Sequence, residues 1–223
     1  MSEGAPELLL FDLDGTLVDS VPDLAFCLNA MLTELALPAA SEDDVRMWVG
    51  NGAERLVKRA ITRRMDGEPE DGALLRRALA RLMEIYAENT DQYSQLYPGV
   101  IEGLDYARSL GCPLGVVTNK AERFTVPLMR SLGIFDRFDI VVGGDTLPTQ
   151  KPHPGPLLHC AEQYRAAPAR SVMIGDSIND LQAARAAGMR ILCVSYGYNH
   201  GNDIGTHGPD AILHSLAELP AHL

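Results

Sequence analysis

The sequence predicts an α/β fold: a Rossmann-like parallel sheet whose first strand is separated from the rest by a block of helices. Three observations lead there. Short continuous apolar runs such as Leu8–Phe11, Leu114–Val117 and Ser171–Gly175 read as strands buried on both faces. From Val100 onward these runs alternate with helical patterns of roughly ten residues, the rhythm of βαβ units. Between Ser20 and about Gln92 no convincing strand pattern occurs.

In chain order, residues 1–7 read as a short polar lead and Leu8 to Asp12 as strand one. Ser20 and Pro22 form a helix start, a capping hydroxyl with proline in the first turn. Leu24, Leu28, Met31, Leu32 and Leu35 then recur at helical spacing, with Pro38 beyond. Ser41 opens another helix, its Asp43 and Asp44 placed where negative charge is favoured. Gly50-Asn51-Gly52 interrupts, and Ala53 to Arg64 is helical again. Leu56, Val57, Ala60 and Ile61 make one face there; Arg55, Arg59 and Arg63 make another, read as solvated at Arg59 and Arg63. Leu75, Leu79, Leu82 and Tyr86 mark a further helix running to about Asn89. After Tyr97-Pro98-Gly99 come helix 100–110, strand 113–118, helix 123–132, strand 139–142, helix 154–164, strand 171–175, helix 178–187 and strand 190–195. An edge strand over 211–213 and a final helical turn over 216–219 follow. The implied organisation is a core domain of residues 1–19 and 93–223, with a helical cap of residues 20–92 inserted just after strand one. An insert there overhangs the C-terminal edge of the sheet, where ligands bind in open α/β sheets.

Composition narrows the function classes. The chain has 223 residues, 46% apolar and 22% charged, ordinary for a soluble globular protein. A net charge of −11 argues against general nucleic-acid or anionic-membrane binding. No run reaches transmembrane length and the first residues carry no signal pattern. Cys27, Cys112, Cys160 and Cys193 are far apart, as expected for reduced, mostly buried thiols in a cytoplasmic protein; metal ligation and disulfides are the alternatives.

The chemistry gathers at the strand ends. Strand one ends in Asp12 and Asp14, two acids that need a metal or a basic side chain beside them. The next ends in Thr118-Asn119-Lys120, the one near 140 leads to Gly143-Gly144-Asp145 and Lys151, and the one near 173 ends in Gly175-Asp176-Ser177 with Asp180 a turn later. In a parallel sheet these ends converge. Carboxylates suit Mg²⁺, while a hydroxyl, backbone N–H groups and a lysine suit a phosphate. The set reads as metal-assisted phosphoryl transfer. The chain holds 16 arginines and only three lysines, Lys58, Lys120 and Lys151. Lys151, between Gln150 and Pro152, is read as functional, whereas Lys120 is read as an ordinary loop lysine.

Asp12-Leu13-Asp14-Gly15-Thr16, Val117-Thr118-Asn119, Lys151-Pro152 and Gly175-Asp176-Ser177-Ile178-Asn179-Asp180 resemble, in order and spacing, the four motifs of the haloacid dehalogenase-like hydrolase superfamily. Within it, Trp48 to Gly52, Gly143 to Pro148, Lys151 to Pro154 and Gly197-Tyr198-Asn199 resemble the phosphoglycolate phosphatase family. The resemblance implies that Asp12 is a nucleophile forming an aspartyl-phosphate and that Asp14 is the acid and then the base. It implies Mg²⁺ on the Asp12 carboxylate, the Asp14 carbonyl and Asp176, with Ser177 and Asp180 in support. Thr118, the Asn119 N–H and Lys151 would hold the phosphoryl oxygens. In the cap, Gly50, Asn51 and Gly52 would approach the substrate. Arg55 would pair with a substrate carboxylate, or else belong to a solvated helix face. The expected reaction is hydrolysis of a small phosphate ester, 2-phosphoglycolate first, by a monomer or homodimer. A phosphosugar phosphatase or phosphomutase is the alternative, and a regulatory protein that has lost its chemistry is disfavoured by the intact Asp12, Asp14, Lys151 and Asp176.

Overall fold

The computed structural model describes residues 5–223, so part of the polar lead over 1–7 lies outside the described residues. Six parallel strands form the sheet: β1 (Leu8–Phe11), β4 (Leu114–Val117), β5 (Ile140–Val142), β6 (Ser171–Gly175), β7 (Arg190–Val194) and β8 (Ala211–Leu213). Their spatial order is β5-β4-β1-β6-β7-β8. β1 is therefore central, with β4 on one side and β6 on the other, and the chain order reverses around it. That is where an open α/β sheet leaves a crevice at its C-terminal edge.

Alternate residues of each strand face opposite layers. Leu9 and Phe11 join Val116, Ile174, Leu192 and Val194 on one face. That face is covered by α5 (Val100–Ser109), by α6 (Glu122–Ser131) and by the C-terminal turn carrying Leu216 and Leu219. Leu8, Leu10, Met173, Ile191 and Cys193 face the other way, under α7 (Gly155–Tyr164) and α8 (Ile178–Ala187). Full burial of such side chains stabilises by about 1.5–3 kcal/mol each. It explains why the strands read as unbroken apolar runs.

Four helices lie between β1 and β4: α1 (Val21–Glu34), α2 (Glu42–Trp48), α3 (Ala53–Thr62) and α4 (Gly72–Glu88). α2 opens with the expected cap: Ser41 Oγ accepts the Asp44 N–H and the Asp44 carboxylate accepts the Ser41 N–H. Val21, Leu28, Trp48, Leu56, Leu82 and Tyr86 form a separate apolar cluster, to which the α6 residue Phe124 and Tyr198 contribute. The helices join the sheet layer through a two-strand antiparallel ribbon, β2 (Val18–Asp19) with β3 (Gln95–Leu96), that the sequence reading did not anticipate. Among the described residues no helix is long and apolar enough to cross a membrane.

Two local expectations need correction. Ser20 precedes α1 but its side chain does not cap the helix. The Tyr198 hydroxyl accepts the Ser20 and Val21 N–H groups instead, at 2.9 and 3.3 Å. Arg59 is not on a solvated face: it is 5% exposed and donates to the Trp48 and Met65 carbonyls, 2.5 and 3.0 Å away. Arg63 donates to the Pro38 and Ala39 carbonyls and lies over the Trp48 ring.

Candidate active site

The pairing register assembles the site. Phe11 sits beside Val116 of β4 and Ile174 of β6, so Asp12, Thr118 and Asp176 emerge together at the edge of the sheet. The Asp12 N–H donates to the Ile174 carbonyl at 2.9 Å. Its Oδ1 accepts the Leu13 N–H at 2.7 Å and faces the Lys151 ammonium at 2.8 Å. The chain then turns back on itself, with the Leu17 and Val18 N–H groups both on the Leu13 carbonyl. Gly15 has φ +88°, and a Cβ there would stand 2.5 Å from Asp176 Oδ2. A side chain at this position is incompatible with the place Asp176 occupies.

Asp12, Asp176 and Asp180 are buried and offer carboxylate oxygens all within 4.8 Å of one another. Asp176 accepts the Thr16 hydroxyl at 3.0 Å and the Tyr198 N–H at 2.7 Å. Asp180, in the first turn of α8, is engaged on both oxygens. Oδ1 takes the Lys151 ammonium at 2.6 Å; Oδ2 takes the Asp176 N–H, the Ser177 N–H and the Ser177 hydroxyl at 3.2, 3.1 and 2.7 Å. Two of the three acids, Asp12 and Asp180, thus share one buried lysine. Burial, reinforced by the Asp180 charge, pushes the Asp12 carboxyl well above the ordinary range despite the opposing Lys151 charge. Burial and the Asp180 charge likewise raise Asp176 to about 7. For Lys151 burial works against the ammonium, but the Asp12 and Asp180 charges outweigh it and its pKa rises. A surplus of buried negative charge among all-oxygen donors fits a hard divalent cation. With Asp180 saturated by four donors, the side chains open to such an ion are Asp12 and Asp176.

Asp14 faces elsewhere. Its carboxylate accepts the Ser20 hydroxyl at 2.5 Å and the Lys120 ammonium at 3.0 and 3.3 Å. Lys120 lies 4.8 Å from the Tyr86 ring centroid. Burial disfavours its charge, yet Asp14 and Tyr86 reverse the effect and its pKa is raised. Lys120 is thus not the ordinary loop lysine that the sequence pattern suggests: it lines the cavity and pairs with Asp14. Lys151 Nζ also donates to the Val117 carbonyl at 2.6 Å, which fixes the ammonium below Thr118.

A cavity of about 460 Å³ opens above these groups. Asp12, Asp14, Thr118, Asn119 and Lys120 line its floor, and Gly50, Asn51, Gly52, Leu56, Leu82 and Tyr86 come from the helical segment. The two halves are stitched together: the Asn119 side-chain amide donates to the Gly50 carbonyl at 3.0 Å and to the Lys151 carbonyl at 2.9 Å. Asn179 also donates to the Gly50 carbonyl, at 3.2 Å, and Asn51 to Asn179 at 3.5 Å. The buried oxygens Asn51 Oδ1, Asn119 Oδ1 and the Tyr86 hydroxyl have no hydrogen-bond partner. The structure therefore brings together the strand-end residues and the Gly50–Gly52 loop. Arg55 is not brought in. Its guanidinium pairs with Asp66 at 3.0 Å and Glu68 at 2.8 Å and is absent from the cavity wall. The turn after α3 supplies those acids and holds the side chain away.

A sheet that gathers a buried acid cluster and one lysine at its C-terminal edge, under helices inserted after strand one, defines a class of hydrolase. The family model described as haloacid dehalogenase-like hydrolase matches residues 9–194, and the chain belongs to that family. A phosphoglycolate phosphatase of Nitrosococcus oceani is 55% identical over 96% of this chain and 95% of its own length. One of Thiobacillus denitrificans is 46% identical over 94% and 92%. The crystal structure of a predicted phosphoglycolate phosphatase from Haemophilus somnus superposes with a TM-score of 0.90 at 37% identity, covering 96% of both chains. Within its family the chain is a phosphoric monoester hydrolase of the kind that phosphoglycolate phosphatases represent.

Proposed function

We propose that this phosphatase hydrolyses 2-phosphoglycolate to glycolate and phosphate, with Mg²⁺ and through a phosphoryl group carried on Asp12. The observation that carries the reading is the buried Asp12–Lys151 contact of 2.8 Å, with Asp12 on the floor of the cavity and Lys151 beneath it. An attacking carboxylate needs its repulsion from a phosphate dianion reduced, and a fixed ammonium does this without moving. The similarity to phosphoglycolate phosphatases over nearly the full chain supports the substrate.

In this mechanism an Asp12 oxygen attacks phosphorus, the bond from phosphorus to the glycolate oxygen breaks, and Asp14 gives that oxygen a proton. Water then attacks the aspartyl-phosphate, Asp14 takes its proton, and phosphate leaves with Asp12 restored. Thr118, the Asn119 N–H and Lys151 hold the phosphoryl oxygens. Mg²⁺ would be held by the Asp12 carboxylate, the Asp14 backbone carbonyl and Asp176, and when bound it neutralises charge on the transferring group. Ser177 and Asp180 position that shell: Asp180 is tied to the Asp176 N–H and to Lys151 at once.

In this reading the catalytic core is the domain expected over residues 1–19 and 93–223, described from residue 5 onward, and residues 20–92 form a cap whose Gly50–Gly52 loop reaches the cavity. The Asn119–Gly50 hydrogen bond supports a cap that senses the floor. Four free cysteines support a cytoplasmic setting, where the enzyme acts as monomer or homodimer on a small-molecule ester rather than on nucleic acid. The cavity of about 460 Å³ exceeds what a two-carbon leaving group requires. That volume favours, as a second reading, a phosphosugar phosphatase or phosphomutase on the same scaffold.

Phosphate release from a panel of small esters, with Mg²⁺ and with a chelator, separates these readings. We expect 2-phosphoglycolate to give the highest kcat/KM and chelation to abolish turnover. A clear preference for a phosphosugar would replace the substrate, turnover stimulated by a sugar bisphosphate would indicate a mutase, and undiminished turnover in chelator would remove the metal.

A further inference from the structure

The cavity must recognise an organic group as well as a phosphate. Lys120 is the one cationic side chain among the described residues that line it; Lys151 lies beneath the floor and Arg55 is turned away to Asp66 and Glu68. The Lys120 side chain is only 6% exposed, and its position is set by two contacts to Asp14, at 3.0 and 3.3 Å. An ammonium carries three donors, so these contacts do not exhaust it. Beside it, Tyr86 from α4 is 2% exposed and lines the same cavity, and its hydroxyl has the Lys120 ammonium next to it but no acceptor for its own proton. A buried hydroxyl proton without an acceptor is costly, and a ligand that supplies one removes that cost.

Geometry ties these two groups to one part of the substrate. In a phosphate ester whose leaving oxygen is served by Asp14, that oxygen rests against the Asp14 carboxyl. In 2-phosphoglycolate a single methylene separates the leaving oxygen from the carboxylate. The carboxylate must then lie next to Asp14, on the side away from Asp12 and Lys151. Lys120 is the cation in direct contact with Asp14, and Tyr86 presents its hydroxyl there from the cap.

We propose that Lys120 and the Tyr86 hydroxyl form the subsite that binds the substrate's carboxylate and thereby set the preference for acidic over neutral leaving groups. The proposal rests on the reading of the site as a 2-phosphoglycolate phosphatase. It assigns to one lysine of the sheet edge and one tyrosine of the helical segment the task that the sequence pattern assigned to Arg55. Because one residue comes from the sheet edge and the other from the helical segment, an anion held by both also links cap to core.

The test compares kcat/KM for 2-phosphoglycolate and for ethyl phosphate, which keeps the leaving oxygen and methylene but replaces the carboxylate with a methyl group. Wild type, Lys120→Met and Tyr86→Phe are measured side by side with Mg²⁺ present. The readout is the ratio of the two kcat/KM values, which general damage to the site lowers in both terms and so leaves unchanged. The ratio is expected to fall about 10- to 100-fold in Lys120→Met, the range for a lost charge-assisted hydrogen bond, and about 2- to 10-fold in Tyr86→Phe. If Lys120→Met does not fold, the isosteric Tyr86→Phe alone decides. A wild type that prefers 2-phosphoglycolate, with variants that keep the same ratio, overturns the subsite and leaves the substrate reading standing. A wild type with no such preference overturns the substrate reading, and the subsite with it.

Discussion

The Lys151 ammonium lies 2.8 Å from Asp12 Oδ1, and both side chains are almost wholly shielded from water. Lys151 also holds Asp180 at 2.6 Å, so one cation sits between Asp12, the proposed nucleophile, and the residue that orders the start of α8. Replacing it by Met keeps the volume and leaves two buried acids without their partner. We expect Lys151→Met to lower kcat by about 10²- to 10³-fold, as for loss of one preorganised electrostatic group. Unpairing the buried charges should cost about 3–5 kcal/mol in metal-free stability. Urea unfolding with steady-state kinetics checks both; a stable variant with near-normal kcat would contradict the role.

Asp176 carries a pH signature in the metal-free protein. Its folded pKa of about 7 lies above the ordinary carboxylate value, so the folded state binds the proton more tightly than the unfolded state. The associated stability is present at low pH and is lost as pH rises from about 4 through about 7. Asp176→Asn keeps the shape and removes the titration. The stability difference, variant minus wild type, should therefore grow between pH 4.5 and 7.5 in chelator, by urea unfolding. A difference independent of pH would contradict the assignment.

Gly15 leaves the room that Asp176 needs. In Gly15→Ala the new Cβ would meet Asp176 Oδ2 at 2.5 Å, at a φ of +88° that alanine resists. With Asp176 as a proposed metal ligand, displacing it is expected to cost about 10- to 100-fold in metal affinity. The Mg²⁺ concentration for half-maximal activity should rise by that factor. An unchanged Mg²⁺ dependence would separate Asp176 from the metal.

Arg59 ties the end of α2 to the turn after α3 by donating to the Trp48 and Met65 carbonyls. Arg59→Met should cost about 2–3 kcal/mol through unsatisfied buried carbonyls. Because Trp48 leads into the Gly50–Gly52 loop, KM for the substrate should rise more than kcat falls. Thermal unfolding and kinetics measure both effects, and a variant as stable as wild type would contradict the structural role.

What the sequence revealed and concealed divides along range. The strands were legible because burial on both faces leaves continuous apolar runs, and Ser171–Gly175 and Ile178–Ala187 have the bounds that their pattern predicts. The strand-end residues Asp12, Thr118 and Asp176 were legible because a parallel sheet brings strand ends together, and Lys151, in the loop after β5, because lysine is scarce in this chain. The β2–β3 ribbon was not, since two residues on each side show no periodicity and they pair across the whole helical segment. Arg55 and Arg59 share one helical spacing with opposite fates. Local acids at Asp66 and Glu68 capture the first, and carbonyls from two other segments bury the second. Lys120 and Tyr86 meet only because α4 folds back over the sheet edge, a relationship that no window of sequence contains.

The central claim is that Asp12 is the group that takes the phosphoryl. The most direct measurement is turnover of 2-phosphoglycolate by Asp12→Asn at saturating Mg²⁺, with circular dichroism to verify folding. An amide keeps the shape and removes the attacking anion, so the account predicts a loss of about 10⁴-fold or more in kcat with the fold intact. Turnover within about tenfold of wild type would place the nucleophile elsewhere and contradict the account.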